Sequence, residues 1–271
     1  MQAQRPENLP DFGRPPLNEV VIGVQFSPPK GYQPGSVGEV WKLYEQEYPQ
    51  LQAHPALEPT FETFGLPHHG QMLGQLSFIP NSMANRFWFV KAGGEELIQF
   101  QADRLLHNWR KIGDQTNEYP RFEHMFDRFR SELQRLEQYF SKTSSQELTI
   151  NQCEISYVNH ISTESGTSDI SAWLRGISLA GISVDDLNVA IREVILGDDS
   201  KPTGRITYEI STGVRSDGRR LIILNLTARG RPDAQNIDSA LRYIAKCREL
   251  IVQRFAQITT EEAHDLWDRR A

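Results

Sequence analysis

The stretch Gln99–Lys111 holds the residue types best suited to recognition or chemistry. Gln99, Gln101 and Asp103 alternate along a predicted strand, so their side chains share one face. Amides, guanidinium groups and indoles provide directional hydrogen bonds and rigid contact area at protein interfaces. We therefore predict a recognition surface, completed by a glutamine of a neighbouring strand. Its residues are Gln25, Gln99, Gln101, Asp103, Arg104, Asn108, Trp109 and Arg110.

The same stretch also has a purely structural interpretation. Trp109 would then pack into the core at a corner of the chain. Arg104 or Arg110 would form an ion pair with Asp103 or Asp114 instead of meeting a ligand. The sequence alone leaves both interpretations open.

An enzyme, such as a hydrolase or nuclease, would need a site of a different kind. Asp103, Arg104 and His107 are the candidates, because a carboxylate and an imidazole can exchange protons with a substrate. However, the sequence contains no phosphate-binding loop, dinucleotide-binding glycine motif, nucleophile elbow, HExxH or CxxC pattern. We therefore leave enzymatic activity uncertain and lean against it. We predict no catalytic residue, metal ligand or cofactor.

A third interpretation is nucleic-acid binding through the arginines of a predicted hairpin, since a basic β-ribbon can follow a phosphate backbone. Asp217 and Asp233 lie among these arginines, however. The whole chain has 29 basic and 35 acidic residues and a net charge of −6. Nucleic acid is therefore a disfavoured partner. The arginines are Arg215, Arg219, Arg220, Arg229 and Arg231.

The composition is that of a globular protein. The 271 residues are 38% hydrophobic and 24% charged, and no apolar run approaches the roughly 18 residues of a membrane span. We therefore expect no membrane partner. Cys153 and Cys247 are too few for a disulfide framework. Residues 1–16 are rich in proline and lack the apolar core of a secretory signal, which predicts a flexible arm and a cytoplasmic protein.

Two apolar stripes with helical spacing predict long amphipathic helices. The first stripe is Phe122, Phe126, Phe129, Leu133, Leu136 and Phe140, and the second is Ile237, Leu241, Ile244, Cys247, Ile251, Phe255 and Ile258. Alternating apolar residues predict strands over Glu19–Phe26 and Leu148–Ile161, and apolar residues at helical spacing predict a shorter helix over Val37–Tyr48. Hairpins are predicted around Gly93-Gly94 and Ser216-Asp217-Gly218.

The order of elements is therefore similar in the two halves of the chain. It predicts an α+β fold of two tandem units, residues 17–142 and 147–271, that follow the flexible arm at 1–16. Each unit would consist of an antiparallel sheet and one long amphipathic helix. Because one helical layer covers only one face of a sheet, the other face should be solvated or covered by a partner.

Several motifs carry a resemblance to a known family. They are Glu19–Phe26 (EVVIGVQF), Arg86–Phe89 (RFWF), Leu97–Arg104 (LIQFQADR), Asn108–Arg110 (NWR) and Tyr119–Phe122 (YPRF). The chain resembles a sporadically distributed bacterial family of uncharacterised proteins of similar length. The resemblance implies a bacterial cytoplasmic protein, and the sporadic occurrence suggests an accessory role, such as a defence or toxin–antitoxin component. It implies no catalytic residue.

Together, these observations favour a non-enzymatic binding or assembly protein. It would recognise a protein partner, or a second copy of itself as a homo-oligomer, through the half-polar face of its sheet.

Overall fold

The computed structural model describes residues 5–65, 86–112, 117–163, 170–178, 182, 185–215 and 217–270, which contain nine strands and four α-helices. The strands are β1 (Leu17–Phe26), β2 (Gln50–His54), β3 (Arg86–Val90), β4 (Glu96–Gln101), β5 (Arg104–Arg110), β6 (Ile150–Ser162), β7 (Asn188–Leu196), β8 (Pro202–Val214) and β9 (Arg220–Gly230). The helices are α1 (Val37–Lys42), α2 (Phe122–Ser144), α3 (Ile237–Ile258) and α4 (Glu261–Leu266).

These strands form one antiparallel sheet in the order β2-β3-β4-β5-β1-β6-β9-β8-β7. Strand β1 lies in the middle, where Val21 is paired with Asn108 of β5 on one side and with Ser156 of β6 on the other. The predicted antiparallel α+β class is confirmed. The two predicted units share a single sheet, however, because their first strands, β1 and β6, hydrogen-bond to each other.

The two long helices cover one side of the sheet, which we call the helix face. Helix α2 packs on β1 and β5, and α3 packs on β6 and β9. Alternate residues of β1, including Val20, Ile22 and Val24, are buried under this layer. We call the other side the open face. No helix in the described part of the chain is long and apolar enough to span a bilayer.

Two predicted elements have different bounds in the structure. The helix expected over Val37–Tyr48 ends at Lys42 and continues as turns, although Tyr44 and Tyr48 remain buried against α2. The stretch after Gln101 turns at once and returns as β5, so the expected corner is a further strand.

Residues 5–16 lie against the C-terminal helices, in contrast to the flexible arm that their composition suggests. The Gly13 N–H donates to the Asp268 carbonyl at 2.8 Å, and the Arg14 N–H donates to the Trp267 carbonyl at 2.9 Å. The Phe12 ring lies edge-on to Phe255, 5.4 Å between centroids. Burial of Phe12 and Leu9 offsets the conformational entropy lost by this segment.

Candidate functional site

Most of the predicted recognition residues lie together on the open face. Gln99 and Gln101 of β4, and Arg104 and Asn108 of β5, point to this side, and Gln25 of β1 is paired with Arg104. Arg110 has the same orientation, and Asp103 lies in the turn between β4 and β5. The two-residue alternation along the strands therefore groups the side chains of β1, β4 and β5, whereas Asp103, predicted on the same strand as Gln101, lies beyond the end of that strand. We call the set of Gln25, Gln99, Gln101, Asp103, Arg104 and Asn108 the polar patch.

The polar patch is a hydrogen-bonded network within the sheet. The Gln99 Nε2 donates to Asn108 Oδ1 at 3.0 Å, and the Asn108 Nδ2 donates to Glu19 Oε1 at 2.7 Å. At the turn, Gln101 Nε2 donates to Asp103 Oδ1 at 2.9 Å. These contacts fix the amide orientations and use much of the hydrogen-bonding capacity of the side chains.

Residues 57–64, which we call the covering segment, lie across part of this network. Gln101 binds both the N–H and the carbonyl of Leu57, each at 2.9 Å. The Thr60 N–H donates to Gln25 Oε1 at 3.0 Å, and Arg104 Nη2 donates to the Glu58 carbonyl at 3.0 Å. Gln25, Gln101 and Arg104 are consequently only 7–8% exposed. This end of the polar patch serves as an anchor for the chain itself.

The covering segment continues onto the second half of the sheet. Glu62 forms an ion pair with Arg205 of β8 at 2.9 Å and lies 3.9 Å from Arg229 of β9. The Thr63 carbonyl also accepts from Arg205, at 2.9 Å. The segment therefore connects the first half of the chain to the second across the open face.

Trp109 lies on the helix face and not with the polar patch. It is paired with Val20, is 1% exposed and packs on Tyr119 with 5.2 Å between ring centroids. Its burial, and the 3.2 Å ion pair of Arg104 with Asp103, agree with the structural interpretation of this stretch. Asp114 lies outside the described residues.

The candidate catalytic residues do not form one site. Asp103 and Arg104 are paired with each other on the open face, whereas His107 is buried on the helix face, beside Ile22. His107 Nδ1 lies 2.9 Å from Glu132 Oε2, and the Tyr48 hydroxyl donates to Glu132 Oε1 at 2.6 Å. Burial by itself would raise the pKa of Glu132, but His107, Tyr48 and Arg128 together hold that pKa below 4.5. Glu132, His107 and Tyr48, which we call the buried trio, connect α2 to β5 and to the turns after α1.

Most of the hairpin arginines form ion pairs with carboxylates. Arg219 and Arg215 both lie near Asp217, at 2.7 and 3.5 Å, and Arg220 lies 3.4 Å from Asp185. Arg229 donates to Glu154 at 2.7 Å. A phosphate backbone would have to compete with these ion pairs, so the geometry does not favour the nucleic-acid interpretation.

Strand β7 is a feature that our sequence interpretation did not single out. It forms one edge of the sheet, with β8 as its neighbour. Ile191, Val194 and Leu196 are 50%, 42% and 52% exposed, respectively. Ile191 is on the helix face and Val194 on the open face, so neither side of the strand is fully covered. The sequence VAIREVIL contained a signal for an apolar strand that is not covered on both sides, because it is apolar at both odd and even positions.

Among the described residues, no group of three or more His, Cys, Asp or Glu side chains is arranged to hold a metal ion. Comparison of the chain with protein-family models, with curated proteins and with solved structures found no match.

Proposed function

We propose that the protein is a non-enzymatic assembly protein that binds a second copy of itself along β7 and the adjoining open face. The observation that carries this proposal is the exposed apolar edge strand. Strand β7 is nine residues long, and no other strand of the described residues pairs with its outer side; this edge and the exposed Ile191, Val194 and Leu196 favour strand addition.

Symmetry favours the second copy as the occupant. A two-fold axis perpendicular to the sheet lays β7 antiparallel to itself, and two-fold dimers are the commonest assemblies. A register centred on Ile191 places Arg192 opposite an alanine, the Ala190 of the second copy. Like charges then do not meet across the axis.

The polar patch has an indirect part in this proposal. It anchors the covering segment, and the covering segment in turn contacts Arg205 on β8, next to the edge strand. The predicted recognition residues would thus shape the open face instead of touching the second copy. Membership of the sporadic bacterial family, and the accessory role it suggests, remain proposals as well.

We also infer that the chain arose by internal duplication. The order β1-β5-β4-β3 on one side of the centre is matched by β6-β9-β8-β7 on the other, and each set is followed by a long helix. This correspondence of order supports the inference.

The test is the oligomeric state of edge variants, measured by size-exclusion chromatography with light scattering. Wild type should elute at twice its mass of 31.0 kDa. Ile191→Lys and Val194→Lys should be monomers with unchanged circular dichroism, because a buried lysine opposes docking.

Val214→Lys is the matched control, since Val214 is 69% exposed but belongs to the interior strand β8. It should remain a dimer. A monomeric wild type, or a dimer that persists in both edge variants, would refute the proposal.

A further inference from the structure

Two neighbouring cavities lie where the two halves of the chain meet. The inner cavity has a volume of about 70 Å³ and is lined by the N-terminal segment, β6, β9, α3 and the start of α2. The outer one, which we call the vestibule, has a volume of about 450 Å³. Both are lined by Pro15, Leu17, Tyr119 and Arg121, so the vestibule adjoins the inner cavity. Its volume is within the range of small-molecule sites, about 300–1,000 Å³.

The inner cavity has apolar and polar parts to its lining, and at its rim Arg5 and Arg121 are both paired with Asp11. Phe12, Ile251 and Phe255 supply part of the apolar lining. Arg248 and Tyr157 form a polar wall of the same cavity, and the Tyr157 hydroxyl lies 3.4 Å from that of Tyr119. Such a lining, with a few convergent polar groups, is typical of sites that orient a small ligand.

Arg248 is a buried cation with an unused donor. Its side chain is 3% exposed, and Nη2 donates to Glu123 Oε1 at 3.0 Å. The guanidinium also lies over the Phe122 ring, 5.0 Å from the centroid. Within the described residues, however, its Nε–H has no hydrogen-bond acceptor. Because an unsatisfied buried donor is unfavourable, an acceptor at this wall would be stabilising.

The vestibule is basic, although the whole protein is acidic. Four cationic residues line it, and Glu118 is the opposing carboxylate of the lining. Arg121 is paired with Asp11 at 3.1 Å and Arg270 with Asp268 at 2.8 Å, whereas no carboxylate of the described residues pairs with Arg14 or Lys111. Burial and the nearby Arg215 lower the pKa of Lys111, as expected for a cation short of negative partners. The cationic residues are Arg14, Lys111, Arg121 and Arg270.

We propose that this site binds a small amphiphilic anion. Its carboxylate or phosphate group would lie at the polar wall beside Tyr119, within the field of the vestibule cations. Its short apolar chain would enter the inner cavity next to Phe12 and Phe255. The site is remote from β7, so this inference does not depend on the proposed self-association.

Isothermal titration with butyrate, hexanoate and octanoate tests the proposal. Affinity should rise about fourfold for each methylene buried, until the inner cavity is full. Hexanamide, which has the same chain without charge, should bind more weakly than hexanoate. Comparison of hexyl phosphate with hexanoate shows which anionic group the site prefers. Tighter binding of either one than of hexanamide supports an anion site.

Two variants test the two compartments separately. Lys111→Met should weaken hexanoate several-fold and leave hexanamide unchanged. Val252→Phe adds bulk at a half-buried position of the inner lining and should remove the dependence on chain length. Arg231→Met, at an exposed arginine elsewhere, is the matched control.

Thermal unfolding shows whether each variant is folded before it is titrated. Equal affinity for hexanoate and hexanamide would overturn the proposal. So would the absence of saturable binding by all four anionic probes, or an unchanged affinity for hexanoate in folded Lys111→Met.

Discussion

Glu132 keeps a negative charge in the interior because polar side chains from neighbouring elements contact its carboxylate. The carboxylate is 1% exposed and is contacted by His107 Nδ1 and the Tyr48 hydroxyl, and the Tyr44 hydroxyl donates to the Glu132 carbonyl. These contacts connect the middle of α2 to β5 and to the turns after α1. The trio is therefore positioned to stabilise the packing of the first half of the chain.

Glu132→Gln tests this role at the level of one residue. The substitution keeps the shape but removes the charge, so the free energy of unfolding should fall by about 2–3 kcal/mol in urea titrations near neutral pH. Because the folded pKa lies below 4.5, this difference should be present above pH 4.5 and disappear as the pH falls further.

The control is Glu45→Gln, at an exposed position of the same turns. It should change stability by less than about 0.5 kcal/mol. If Glu132→Gln unfolded like wild type at neutral pH, the trio would have no role in stability.

The sequence contained part of this information at the residue scale. Glu132 and Arg248 fall on the apolar stripes of their helices, and a charge at such a position indicates a buried partner. Strand alternation also grouped Gln99 with Gln101. The burial of the polar patch was not predictable, because the covering segment comes from a proline-rich stretch without periodicity.

At the scale of elements, the β8–β9 pair depends on two glycines. Gly204 and Gly230 are directly opposite each other, and the Tyr243 hydroxyl of α3 lies against both. A Cβ at Gly230 would lie 2.6 Å from the Gly204 Cα, a backbone atom that cannot rotate away. The close approach of α3 to the sheet thus requires residues without side chains.

Gly230→Ala should therefore destabilise the protein by roughly 1–3 kcal/mol, measured by urea unfolding, because the strand or the tyrosine must shift. Gly38→Ala in α1 is the matched control, since a Cβ there would have no atom within 4 Å. It should be neutral or stabilising by up to about 1 kcal/mol. Equal destabilisation by both substitutions would contradict the packing at Gly230.

The elements themselves were largely predictable, because both long helices carry clear apolar stripes and α3 begins at Ile237, as expected. The pairing of β1 with β6 was not, since neither strand's pattern specifies its neighbour. The packing of the N-terminal segment was difficult to predict for a similar reason. Leu9 and Phe12 are isolated apolar residues whose binding partners lie at the far end of the chain.

At the scale of the whole molecule, acid should destabilise the fold in two stages. Burial lowers the pKa of His160 and of His264 below 6.5, with Arg215 and Lys111 near the first and Arg269 near the second. At pH 6.5 the folded protein therefore binds fewer protons at these two imidazoles than the unfolded chain does. The stability that they contribute is complete above that pH and is lost as the pH falls.

The second stage belongs to the carboxylates. Hydrogen bonds from Arg254 and Tyr208 lower the pKa of Glu193, and His107, Tyr48 and Arg128 lower that of Glu132. Their contribution is present above pH 4.5 and is lost as the pH falls through the lowered values. The thermal midpoint should therefore be level above pH 7, decline below 6.5 and fall more steeply below 4.5.

The double variant His160→Gln, His264→Gln separates the two stages in a thermal scan across pH. It should reduce the decline between pH 6.5 and 4.5 and leave the steeper acid limb, because the carboxylates are unchanged. The rest of the decline belongs to His54, whose pKa is lowered by burial and by Arg86 and Arg110. His124→Gln, at an exposed histidine of α2, should keep both stages. A double variant with the wild-type profile would show that neither imidazole contributes to the acid sensitivity of the fold.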